Sequence, residues 1–194
     1  MTACLRASLA LLALCLAGCI PFVLENQSTH FASSEYSYPL TDGLYVLEGF
    51  SGASIRVATQ PDQVTITMTQ GNGEEVTMIG GFIALAASGH FIFQVTDASQ
   101  KGKAPDNKKP GESLYVPMRI TSSDEVNWFP GPERNDLDIS RLLQVHGLAS
   151  ANNGEWTARK NLSKTQVRAF YEELAPLLDR TTWRGTRMRR VAGS

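Results

Sequence analysis

Val64-Thr65-Ile66-Thr67-Met68-Thr69 alternates apolar and hydroxyl side chains without interruption. Successive side chains of an extended chain point to opposite faces, so a period of two with one polar face marks a half-buried antiparallel strand. Turn signals bracket the stretch. Pro61-Asp62 precedes it, and Gly71-Asn72-Gly73 follows it with the positive φ values that a tight hairpin needs.

The same succession of short strands and turns runs from residue 42 to residue 130. Asp42-Gly43 leads into Leu44-Tyr45-Val46-Leu47, and Gly49 and Gly52 break the chain before Ile55-Arg56-Val57. Beyond the hairpin come Val76 and Met78, a break at Gly80-Gly81, and a strand from Phe82. Ser88-Gly89 turns the chain into His90-Phe91-Ile92-Phe93-Gln94-Val95. Residues 98–112 read as a solvated loop, with Lys101, Lys103, Lys108 and Lys109 against Asp106. Leu114, Val116, Met118 and Ile120 then alternate with Tyr115, Pro117, Arg119 and Thr121. Pro117 has no amide hydrogen for a ladder, which predicts an edge strand or a bulge. Residues 126–129 give a last short strand before Pro130-Gly131-Pro132.

After residue 132 the period changes. Ile139, Leu142, Leu143 and His146 fall on one helical face, with Asp136 or Asp138 as N-cap and Gly147 as stop. Residues 155–161 read as a strand. Ser163-Lys164-Thr165-Gln166 has the form of a capping box, with Leu162 and Val167 as the hydrophobic staple. Val167, Phe170, Tyr171 and Leu174 share one face of the helix that follows, Arg168 and Glu172 pair on the other, and Pro176 ends or kinks it. Residues 182–191 form a closing strand with Trp183 and Met188 as anchors. The expected fold is α+β: an antiparallel curled or barrel-like sheet with two helices toward the C-terminus. A lipocalin-like barrel would fit, but the hallmark motif of that family near the first strand is not found.

At the other end, Arg6 is followed by an apolar run over residues 7–16, broken only by Ser8, and then by Leu16-Ala17-Gly18-Cys19. The run is shorter than the about 20 residues a spanning helix needs. The tetrapeptide resembles the lipobox of bacterial lipoprotein precursors. That resemblance implies a thioether-linked diacylglycerol on Cys19, cleavage after Gly18 and acylation of the new terminus. The alternatives are an ordinary secretory signal and an uncleaved anchor. The implied division is a signal peptide at 1–18, a lipidated N-terminus and flexible tether at 19–39, and one α+β domain at 40–194. In diderm bacteria the sorting rule carried by the resemblance retains Asp after the lipidated Cys in the inner membrane. Ile20 lacks that signal, so the expectation is the periplasmic face of the outer membrane, or the outer face of the cell membrane if there is only one.

Cleavage removes Cys4 and Cys15, and lipidation consumes Cys19. The mature chain then has no disulfide, no thiol nucleophile and no thiolate metal site, and no cofactor is expected. Losing Arg6 leaves 17 basic against 19 acidic side chains, a formal charge of −2. That balance argues against a nucleic-acid binder. No nucleophile elbow, zinc-binding helix or phosphate loop occurs. His30, His90 and His146 lack ligand spacing. His90 reads as a surface or barrel-wall residue, His146 as a helix-end residue. Trp128, Trp156 and Trp183 are core or cavity residues.

Arg180, Arg184, Arg187, Arg189 and Arg190 crowd together with no acid among them. Guanidinium recognises phosphate and carboxylate bidentately, so Arg184, Arg187, Arg189 and Arg190 are candidate anion-binding residues. The bland alternative is a charged strand edge that discourages aggregation. The expected partners are the membrane, through Cys19, and an anionic lipid, polymer or acidic protein. The expected function is a lipid-anchored, non-enzymatic binding module of the envelope. An envelope hydrolase and a structural assembly factor are the alternatives.

Overall fold

The alternation that begins at Val64 becomes a strand at Gln63–Thr69 in the computed structural model, with Val64, Ile66 and Met68 buried. The structure describes residues 24–27, 31–48, 52–101, 112–128, 137–150, 156–158, 161–180 and 186–193. The strands are β1 (Leu24–Gln27), β2 (Gly43–Leu47), β3 (Ser54–Gln60), β4 (Gln63–Thr69), β5 (Glu75–Ala84), β6 (His90–Gln100), β7 (Glu112–Ser122), β8 (Glu125–Trp128), β9 (Leu148–Ser150), β10 (Trp156–Ala158) and β11 (Thr186–Arg190). The helices are α1 (Leu137–Val145) and α2 (Lys164–Leu178).

β2 to β8 pair in sequence order, each antiparallel to the next. β11 enters between β8 and β2 and closes the sheet into an eight-stranded antiparallel barrel. Closure abolishes the edges that an open sheet would present. Short turns suffice because consecutive strands are neighbours. The fold is therefore α+β, with both helices late in the chain.

The barrel interior holds Tyr45, Ile55, Val57, Val64, Ile66, Met68, Val76, Met78, Phe82, Phe93, Val116, Met118, Val126 and Met188 in one apolar cluster. Tyr45, Ile55, Ile66, Phe82, Phe93 and Val126 are 0% exposed. The described interior is thus lined by apolar side chains, most of them fully buried. Eight strands give an interior just wide enough for side chains to fill.

Gly80-Gly81 does not break the chain. Both glycines lie inside β5, which runs through them. The register between β5 and β6 shifts between Ile79 and Gly80, leaving Thr96 as the extra residue. Its hydroxyl donates to the Ile79 carbonyl at 3.1 Å. Such a bulge turns the strand by one residue, so Phe93 and Val95 face inward before it and Ala98 faces inward after it. A Cβ on Gly80 would lie 1.8 Å from the Gln94 carbonyl oxygen, and one on Gly81 would strike the Tyr36 ring at 2.2 Å. The glycines are there for close approach, not for a turn.

Three more expectations shift. β6 extends to Gln100, into the stretch read as a loop. Pro117 is neither on an edge nor in a bulge. On one side of β7, β1 pairs up to Tyr115 and β8 pairs from Met118, so Pro117 sits at the fork between them. α2 continues two residues past Pro176, although the proline has no amide to donate to the Glu172 carbonyl.

The described residues of the segment read as a flexible tether, 24–27 and 31–39, join the fold. β1 pairs antiparallel with β7 and parallel with β10, and β9 completes a small flap beside the barrel. Phe31 is buried. It shares a second apolar cluster with Ile83, Ile92 and Tyr115 on the outside of β5, β6 and β7, covered by Leu142 and Leu143 of α1 and Phe170, Tyr171 and Leu174 of α2. The folded unit thus begins well before residue 40. The capping box of α2 forms as read, with the Gln166 amide donating to Ser163 Oγ at 3.3 Å and Ser163 N–H to Gln166 Oε1 at 2.9 Å. Asp138 is inside the first turn of α1 rather than its cap, and Asp136 lies outside the described residues. Arg168 donates to the Ala84 carbonyl at 2.8 Å instead of reaching along the helix for Glu172.

Gly80→Ala is expected to destabilise the barrel by about 3 kcal/mol or more, since its methyl group collides with backbone that cannot move aside. Urea unfolding checks this. A midpoint within error of wild type would mean that β5 and β6 do not approach as closely as described.

Candidate functional site

The arginines of the C-terminus do not form an unpaired cationic edge. Met188 points into the barrel, so its neighbours Arg187 and Arg189 point outward by strand alternation. Glu125 opens β8 on one side, and Glu48 follows β2 on the other. Arg187 lies 2.8 Å from Glu125 and 4.0 Å from Glu48. Arg189 lies 3.2 Å from Glu48 and 3.4 Å from Glu125. The Thr121 hydroxyl donates to Glu125 Oε1 at 2.9 Å. That bond first, and Arg187 and Arg189 after it, hold the Glu125 carboxyl below the usual carboxylate range.

Arg190 is placed differently. It approaches Asp124 at 3.7 Å and donates to the Asp42 carbonyl at 3.0 Å. Beside it the Tyr45 hydroxyl is shared between the carbonyls of Thr41 (2.7 Å) and Ser123 (2.9 Å), closing one end of the barrel. Burial pushes the Tyr45 phenol up to about 12, with the Asp124 charge adding and Arg190 opposing. Glu48, Asp124 and Glu125 therefore balance the three described arginines. Arg180 pairs with Asp138 and ties α2 to α1. Cys19 and Arg184 lie outside the described residues, as do His30, Trp183, Lys103, Asp106, Lys108 and Lys109.

Both described histidines have acidic neighbours that their sequence context did not reveal. His90 is buried, not on the surface. Its Nε2 lies 3.1 Å from Asp179 Oδ1 at the end of α2, and its Nδ1 lies 3.2 Å from the Ser88 carbonyl. Arg119 reaches the same Asp179 oxygen at 2.8 Å. Both ring nitrogens therefore face protein oxygens. His146 follows α1 and stacks edge-on against Phe170 with centroids 5.4 Å apart. Its Nε2 lies 3.3 Å from Glu173 without good hydrogen-bond alignment.

Gln94, on the outward face of β6, is a buried polar group with three hydrogen bonds to the N-terminal segment. Its Oε1 accepts the Phe31 N–H at 2.7 Å, and its Nε2 donates to the Phe31 carbonyl at 3.2 Å and to the Tyr36 hydroxyl at 2.8 Å. One amide side chain thus binds Phe31 as a neighbouring strand would. The Phe31 ring meets Tyr115 edge-on at 6.2 Å, and Arg168 and Lys164 lie over it at 5.4 and 5.8 Å. Lys164 also pairs with Glu35 at 2.7 Å, which holds that carboxyl below its ordinary range. Ser37 N–H donates to the Phe82 carbonyl at 2.7 Å. Burial raises the phenols of Tyr36 and Tyr115 in this layer, with Gln94 and Ser113 respectively opposing.

Comparison with protein families, with curated proteins and with solved structures finds no match for the chain. Among the described residues no helix is long and apolar enough to cross a membrane, and no group of three or more His, Cys, Asp or Glu is placed to hold a metal ion. The sequence singled out the arginines but not their acids, and it missed Gln94. The one available signal was parity: Gln94 shares a strand face with Ile92, and that face is buried.

The raised Tyr45 value sets an alkaline limit. Its stabilising effect is fully present below the ordinary tyrosine value near 10 and declines as pH rises through about 12. Urea unfolding from pH 9 to 12 should show stability falling, and Tyr45→Phe should flatten that fall while costing about 1 kcal/mol at neutral pH. An unchanged alkaline slope in the variant would assign the effect to another group.

Proposed function

We propose that the chain is a lipid-anchored envelope protein, held through Cys19 at the periplasmic face of an outer membrane, whose barrel is a non-enzymatic module that binds with its outer surface. Where the cell has a single membrane, the place is that membrane's outer face. The observation that carries the anchor is Leu16-Ala17-Gly18-Cys19 closing a short apolar run. Two or more acyl chains give stable attachment at about 0.8 kcal/mol per buried methylene, whereas one gives marginal binding.

Two features of the barrel support the rest of the reading. The described interior is lined by buried apolar side chains, so this reading places recognition on the outside. His90 has both ring nitrogens engaged, which suits a structural tie better than acid–base chemistry. The arginine strand remains the proposed contact for an anionic lipid, polymer or acidic protein. Exposed ion pairs contribute little each, so an incoming phosphate could exchange with Glu48 or Glu125.

Cys19→Ser should yield a precursor that is neither acylated nor cut after Gly18, by intact mass spectrometry. Fractionation of the wild type should place it in the outer membrane. A wild type with normal cleavage and no lipid would remove the anchor from this reading.

A further inference from the structure

We propose that the docked N-terminal segment is a short leash that holds the β1–β7 flank of the barrel against the bilayer. The inference rests on lipidation of Cys19 and goes beyond it, because a lipid on a loose tether would leave the barrel free to turn. Leu24 is paired on both sides, with Tyr115 of β7 and Trp156 of β10. Only five residue steps separate Cys19 from Leu24. A fully extended chain covers at most about 3.3–3.6 Å per residue, so the lipidated sulfur stays within about 20 Å of the Leu24 backbone.

A second clamp farther along keeps β1 from peeling away. Peeling off residues 31–37 would expose the Phe31 ring and leave the Gln94 amide facing the helices without its three hydrogen bonds. Burying such a group unpaired is costly. The Glu35–Lys164 pair and the Ser37–Phe82 bridge hold the same segment to α2 and to β5.

Closure fixes what faces away. Around the ring of eight strands, β3 lies diametrically opposite β7. The outer surface of β3 and β4 carries Arg56, Thr65, Thr67 and Thr69 in adjacent registers, with Thr67 and Thr77 hydroxyls 3.3 Å apart. That polar wall is the one turned from the membrane toward soluble partners. The membrane-facing partner is the lipid headgroup layer itself.

The mature chain has no thiol besides Cys19, so a single introduced cysteine can be labelled without interference. Ser34→Cys reports the clamped flank, and Thr67→Cys reports the far wall. In the full lipidated protein on vesicles carrying a headgroup quencher, the label at 34 should be quenched severalfold more than the label at 67. A long Gly/Ser insertion between Ile20 and Pro21 should bring the two values together while far-ultraviolet circular dichroism stays that of a folded barrel. Equal quenching in the wild type, with lipid on Cys19 verified by mass spectrometry, would overturn the leash and leave the anchor standing. Asymmetry that survives in the folded insertion variant would also overturn it. Absence of lipid on Cys19 would remove both the anchor and the leash.

Discussion

The barrel depends on the pairing of β11 with two strands at once. Its five residues join β8, through Asn127 with Arg187 and Val126 with Met188, to β2, through Leu47 with Met188 and Val46 with Arg189. Without this strand the sheet would have two unpaired edges and its apolar face would meet water. Met188 fills the interior at the seam. Arg187 and Arg189 span it on the outside because each lies between Glu48 and Glu125. The cluster that reads in sequence as surplus positive charge is, in space, a balanced clasp.

Closing the sheet solves the inner face but not the outer one. Along β5, β6 and β7 the outward side chains include Ile83, Ile92 and Tyr115, too apolar for solvent. Two helices and the N-terminal segment cover them. A covering layer brings its own polar groups, and the sheet answers with buried ones: Gln94 for the Phe31 backbone, His90 for Asp179, and the Tyr115 carbonyl for the Tyr171 hydroxyl at 2.6 Å. These contacts give the covering layer a fixed position, which apolar packing alone does less well.

Alternation made β4 and the inner face of β7 legible, and capping chemistry made α2 legible, because both are local. What stayed hidden was non-local. Gly80-Gly81 reads as a turn until β6 and Tyr36 are seen pressing against it. Residues 31–37 are polar enough to read as tether, and contacts from far along the chain, such as Gln94, 63 residues away from Phe31, make them part of the fold. Asp179 lies 89 residues from His90, so no spacing rule could join them. The arginine strand was visible as a cluster, but its meaning depends on acids carried by β8 and the end of β2. The lipid site was legible only as a motif.

The order of the strands has a kinetic consequence. The last strand to be synthesised is the one that joins the first and the seventh strands of the barrel, so its contacts carry a sequence separation close to the whole domain. Contacts of that kind are slow to form because a long loop must close before they reward it. Until then the meander from β2 to β8 is an open sheet with two unpaired edges. Such a chain stays unfinished for longer than one whose last strand pairs locally, and its apolar face is exposed meanwhile.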